Sequence, residues 1–184
     1  MNQTDFFESL ALLEQNAPLH CARLLVLLEA FANEDGTGEI EGITKLAKLD
    51  FLLRYPAMLE RALKERERSP RAAKVEPFER DSVESKMVRY RFGPWDHRYS
   101  NFLAILQAKG LVRLRRIGQT RHIGLTDAGR QAARQLSSDF NYQTMAERAL
   151  LLRKEFNLTA TNLMKFVYAT FPELSSMQAN QPIP

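Results

Sequence analysis

The chain has little of what most catalytic and metal sites are built from: one cysteine and three histidines in 184 residues. A lone Cys21 excludes an intramolecular disulfide and most cysteine metal sites. It sits in an apolar stretch, where inert packing is expected. His20, His97 and His122 are too far apart for metal-ligand spacing and read as structural or exposed. The 8 glycines form neither a phosphate loop nor a nucleophile elbow. No apolar run approaches the roughly 18 residues that span a bilayer, and the N-terminus lacks the basic start and cleavage site of a signal peptide. These absences predict a non-enzymatic, cytoplasmic protein with no cofactor, no metal and no membrane partner.

Apolar residues make up 45% of the chain, enough for one substantial core. The net charge of +4 is unevenly spread. Residues 1–60 carry 4 basic and 10 acidic side chains, residues 61–121 carry 16 and 7, and residues 122–184 carry 6 and 5. A basic middle points to a polyanion or an acidic protein surface as partner; the bland alternative is a solvated face balanced by the acidic first third.

Thr4 is placed to cap a short helix lined by Phe6, Leu10 and Leu13, and Pro18 opens a second, LHCARLLVLLEAFA. That helix is apolar nearly all round and so is expected to be buried. The segment NEDGTGEIEG (33–42) lacks the ligand order of a calcium loop and reads as a connector. Ile43 to Arg54 has the periodicity of a helix that packs Ile43, Leu46, Ala47, Leu49, Leu52 and Leu53 and exposes Lys45 and Lys48. Asp50 and Arg54, four residues apart, suit a surface ion pair. Pro56 interrupts this helix and opens another from Ala57 to about Arg66. The stretch KERERSPRAAKVEPFERDS (64–82) is densely charged and poor in apolar residues, as in a linker or a segment ordered only by a partner.

Glu84 to Gly129 carries the most information. Val88, Tyr90 and Phe92 alternate with Arg89 and Arg91 as in an extended strand, and Gly93-Pro94 is expected to turn the chain. Asp96 is a good N-cap for a helix starting at His97, with Tyr99, Phe102, Leu103 and Leu106 on one stripe and Gly110 at its end. The period then changes: Val112 and Leu114 share one face, Arg113 and Arg115 the other, and Gly118-Gln119 reverses the chain into a strand with Ile123 and Leu125. LTDAG opens an alanine-rich helix to about Leu136. Further on, Tyr142, Met145, Ala149, Leu152 and Phe156 form one helical seam, and Leu163, Phe166 and Val167 another.

The fold this predicts is mainly α with a small β-hairpin, a winged-helix-like core with extra N- and C-terminal helices. Residues 1–66 supply the N-terminal helical part, 67–82 the charged linker, 83–137 the winged-helix part, 138–174 a C-terminal helical pair and 175–184 a disordered tail. Arg89, Arg91, Arg98, Arg113, Arg115, Arg116 and Arg121 are the candidates for binding nucleic acid or an acidic partner, because guanidinium forks pair with phosphate or carboxylate. The helix before the hairpin offers only His97, Arg98, Asn101, small residues and Lys109, which favours backbone contact over base reading. Leu151, Met164 and Tyr168 leave apolar surface off the main seam and are candidates for a partner interface, unless the helical pair packs on the winged domain.

The segments KLAKLDFLLRYP (45–56), MVRYRFGPWDHRY (87–99), GLV (110–112) and LMKFVYATFPEL (163–174) resemble the middle, accessory components of ABC three-component anti-phage defence systems of the Lamassu type. The resemblance covers residues 20–174, and its most specific part is RYRFGPWDHRY. It implies a small winged-helix-like subunit that binds an SMC-like ABC ATPase and helps restrain or deliver a nuclease effector, and it carries over no established catalytic set. The alternative from the residues themselves is a free-standing winged-helix DNA-binding transcriptional regulator, which predicts sequence-selective duplex binding.

Overall fold

A computed structural model of the chain describes residues 16–35, 37–80, 88–90 and 93–176. The expected Thr4-capped helix, Arg91 and the tail from 177 lie outside the described residues. Helix α1 (Ala17–Phe31) runs through the core. Asn16 caps it, its side-chain oxygen accepting from the Leu19 amide, and Pro18 sits in the first turn where an N–H is dispensable. Its apolar residues are buried on nearly every side, as an all-round apolar helix requires.

The chain then forms β1 (Glu39–Glu41), α2 (Ile43–Arg54) and α3 (Pro56–Glu65). The segment expected to be only a connector therefore supplies a strand. Three residues are too few to show a period, and β1 exists because a partner strand is available: it pairs antiparallel with β5 (Thr120–Leu125), Ile40 opposite Ile123. On the other side β5 pairs with β4 (Val112–Ile117), so the sheet order is β1-β5-β4. Ile40, Val112, Ile123 and Leu125 turn one face of this antiparallel sheet into the core.

Between α3 and the hairpin lie a 3₁₀ turn (Pro70–Ala73), α4 (Pro77–Arg80), the two-stranded pair β2 (Val88–Tyr90) and β3 (Gly93–Trp95), and α5 (Tyr99–Ala108). Gly93 and Pro94 belong to a strand instead of a turn; in a two-stranded sheet every strand is an edge, where proline removes no ladder bond. Helix α5 starts two residues later than its sequence suggests. Asp96 is not its N-cap: the carboxylate accepts from the Arg98 amide at 2.9 Å, and the helix begins at Tyr99. Gly110, at φ 68°, ends α5 in the left-handed region that glycine adopts freely.

The charged stretch after α3 follows a defined path. Arg148 of helix α7 (Gln143–Phe156) reaches back to it, donating to the carbonyls of Ala73 and Lys74 and to both carboxylate oxygens of Glu79 at 2.6–2.8 Å. Arg80 pairs with Glu60, and Arg68 with Glu155. Mixed charge without apolar period can thus mark a segment held by ion pairs to distant helices.

LTDAG opens α6 (Asp127–Ser138). Thr126 accepts from the Gly129 amide and donates to the Gly110 carbonyl, joining the end of α5 to the start of α6. A Cβ at Gly129 would stand 1.9 Å from the Leu111 carbonyl oxygen, so the glycine of this motif is set by close backbone approach. A 3₁₀ turn (Phe140–Tyr142) leads into α7, followed by α8 (Ala160–Thr170) and α9 (Glu173–Ser176). Helices α7 and α8 pack on α2, with Phe171 edge-on to Phe51 at 5.5 Å. Leu152, Phe156, Leu163 and Val167 join the same cluster as Leu24 and Leu49. The chain is mainly helical around a small three-stranded antiparallel sheet.

Candidate functional site

The β4–β5 hairpin divides its arginines between two faces. In a pleated strand alternate residues share a face, and the register puts Arg113 level with Gly124 and Glu39, and Arg115 level with His122 and Glu41. Arg113 and Arg115 therefore stand on the face away from the core. Glu39 reaches across β5 to both, its Oε1 accepting from Arg113 Nε at 3.3 Å and Arg115 Nε at 3.0 Å, and its Oε2 from Arg115 Nη2 at 2.9 Å. Arg113 also donates to the Leu125 carbonyl. Gly124 makes this possible, since a Cβ there would lie 2.9 Å from Glu39 Cγ. Burial alone would raise the Glu39 carboxyl, but its hydrogen bonds to Arg115 and Arg113 hold it below the usual glutamate value. His122 Nδ1 lies 3.4 Å from the same carboxylate.

Arg116 and Arg121 belong to the opposite parity. They continue the line of Val112 and Leu114 on one strand and of Leu125 and Ile123 on the other, past the edge of the core, and the register sets them directly opposite each other. Both are exposed. Among the described residues Arg116 donates only to neutral acceptors, the Gly118 carbonyl and Gln119 Oε1. The Arg121 guanidinium has no hydrogen-bond or ion-pair partner among the described residues. Ile117, 54% exposed, completes the tip.

The remaining candidates are separate. The backbone of Arg89 lies in β2 opposite Pro94. Arg98 is held by Asp96 through its Nε and Nη2 groups. The exposed side of α5 presents Ser100, Asn101, Ala104 and Gln107. Leu151, Met164 and Tyr168 are half-buried, and Leu151 and Tyr168 pack against the core. Nearby, the exposed apolar side chains are Phe140 (88%) and Leu150 (59%).

Sequence reading missed the buried polar network beneath α5. Asp50 is not on the surface, and Arg54 acts on it as a nearby charge while Arg23 is its hydrogen-bonded partner: its carboxylate is fully buried, accepts two hydrogen bonds from Arg23 at 2.6 and 3.0 Å and a third from the Tyr99 hydroxyl at 2.7 Å. Burial opposes its ionisation, and Arg23 with Tyr99 overcomes this and keeps the carboxyl below its ordinary value. Arg23 also meets His20 Nδ1 at 2.9 Å, and the His20 ring stacks on Phe102. Arg54 turns instead to Asp96 at 3.2 Å. Asp96 is buried too; Arg98 and Arg54 outweigh the desolvation and hold it well below the usual carboxylate range. The network ties α1, α2 and the start of α5 together.

Lys45 and Lys48 are likewise buried, because α2 is packed by β1, β3, α3, α7 and α8. Lys45 donates to Asn157 Oδ1 at 3.1 Å, whereas Lys48, 2% exposed, donates to the Thr44 carbonyl of its own helix. Burial lowers the Lys48 pKa from 10.5 to about 8. The unfolded chain then binds more protons than the folded one between those values, so this group's contribution to stability rises with pH across the window and is lost on the way down. Lys48→Met is expected to raise stability at pH 7 by about 2 kcal/mol, most of the roughly 3 kcal/mol the shift represents. Urea unfolding should find this gain shrinking as pH climbs from 8 toward 10; a gain independent of pH would refute a charged buried lysine as its origin.

No group of three or more His, Cys, Asp or Glu among the described residues is placed to hold a metal ion. Burial raises the Cys21 thiol above its ordinary value, as in inert packing. An open groove of about 520 Å³ runs along α6, and the described residues that line it, from Asp127 to Ser138, all belong to that helix. Among the described residues no helix is long and apolar enough to cross a membrane. No protein-family model matches the chain, and neither curated proteins nor solved structures show a match to it.

Proposed function

We propose that this chain is a non-catalytic, winged-helix-like accessory subunit of an SMC-like ABC ATPase defence complex, bridging the ATPase and a nuclease effector and touching DNA backbone through its basic hairpin. The observation that carries the reading is the projecting arginine hairpin on a three-stranded sheet of order β1-β5-β4, set behind α1, α2 and α5. A helix, a short strand, two further helices and a returning hairpin is the element order of a winged helix, with α3, α4 and the β2–β3 pair inserted between the second and third helices. The likeness of RYRFGPWDHRY and the other segments to Lamassu-type middle components supplies the partner class. Phe140 and Leu150 give the α6–α7 region exposed apolar side chains suited to a protein contact.

The regulator alternative is weakened by α5. Its exposed side has few long polar groups, and its one arginine at the start is engaged by Asp96. The deciding experiment is co-expression of the tagged chain with a coiled-coil ABC ATPase encoded beside it. A stoichiometric complex on size exclusion is expected. A chain that elutes alone and binds one duplex sequence selectively would replace this reading with the regulator.

A further inference from the structure

We infer that Arg116 and Arg121 form a two-guanidinium clamp for a nucleic-acid phosphate, and that Arg113 and Arg115, although equally basic in sequence, are not the contacts. This deepens the DNA-backbone part of the proposed function and rests on it.

Like charges placed directly opposite on neighbouring strands repel and cost stability, and the register gives this hairpin such a pair at its tip. An anion between the two would reverse the sign of that interaction. A phosphodiester has two non-bridging oxygens and suits a pair of guanidinium forks. Arg116 is already oriented by Gly118 and Gln119 through neutral acceptors, which leave its charge intact, and Arg121 has no partner among the described residues. The Arg121 backbone is fixed, its carbonyl accepting from the Gly42 amide at 2.8 Å. Gln119, whose oxygen accepts from Arg116, adds a side-chain amide donor of the kind that accompanies backbone phosphate contacts. By contrast, Arg113 and Arg115 share the Glu39 carboxylate, so a phosphate would have to displace an internal anion that is itself nearly buried. Apart from the exposed Ile117 the tip is polar, which favours nucleic acid over a protein partner that would bury an apolar interface core.

The experiment is fluorescence anisotropy of the full chain with a labelled 20-base-pair duplex, titrated across a range of salt concentrations. Arg116→Ala with Arg121→Ala is expected to weaken binding at least tenfold at low salt and to flatten the salt dependence by about one phosphate contact. Arg113→Gln, Arg115→Gln and Glu39→Gln together, which leave no unpaired carboxylate, are expected to change affinity less than threefold. Circular dichroism melting of each variant checks that the fold is retained. If the wild type binds and the Arg113/Arg115 variant loses as much as the tip variant, the clamp is wrong while backbone contact stands. If the wild type binds no duplex even at low salt, both fall.

Discussion

Asp50→Ala is expected to cost about 3–5 kcal/mol, the penalty for stranding one partner of a buried ion pair. Arg23 would keep its charge in the core with two hydrogen bonds gone, and the Tyr99 hydroxyl would lose its acceptor. A typical domain has only about 5–15 kcal/mol in total, so the variant should sit near the edge of folding. Asp50→Asn separates charge from shape: it retains an acceptor for Tyr99 but removes the carboxylate charge that faces Arg23, and should lose nearly as much. Replacing both partners by apolar residues, Asp50→Leu with Arg23→Met, should recover much of the loss. Urea unfolding at pH 7 measures all three. A surface Asp50–Arg54 pair would be worth only about 0.2–0.5 kcal/mol, so a loss that small would remove the buried network from the account. The pH dependence has a definite sign. The folded carboxyl is held below the ordinary 3.8, so its contribution is present above that pH and disappears as pH falls through the folded value. The gap between wild type and Asp50→Asn should accordingly narrow in acid.

Arg148→Ala is expected to lose about 3–5 kcal/mol and to do so with a local signature. One guanidinium satisfies two backbone carbonyls and a carboxylate, all on the segment between α3 and the β2–β3 pair. Glu79, held below the usual glutamate value against its own desolvation by Arg148, would be left without that partner. Arg148→Lys should not rescue the loss, since a single ammonium cannot span three acceptors arranged for a fork. Amide exchange over residues 70–80 should accelerate more than exchange in α1, and protease should cut first at Arg71 or Lys74. Uniform acceleration across the chain would show that Arg148 supports the whole core and not this segment in particular.

Much of the fold is legible locally. Helix α1 is buried because its sequence leaves no polar face, and α2 runs from Ile43 to Arg54 because the apolar period begins after Gly42 and stops before Pro56. The β4–β5 hairpin follows from the change of period after Gly110 and from Gly118, which adopts φ 59° at the turn. The candidate site was only half legible. The arginines could be counted, but not the anion that neutralises two of them, because Glu-Ile-Glu at 39–41 is too short to announce a strand. Asp50 and Lys48 looked exposed because one helix shows its own period and not how many neighbours surround it.

By itself the sequence determined where the longer helices and the β4–β5 hairpin lie to within about two residues, and which of their residues share a face, since these depend on steric and hydrogen-bonding preferences within a few residues. Tertiary structure alone decided where each charge goes. Arg23 meets Asp50 across 27 positions, Glu39 meets Arg113 across 74 and Arg148 meets Ala73 across 75. Such pairings depend on which elements pack side by side and on how much water that packing removes, and no local pattern encodes either.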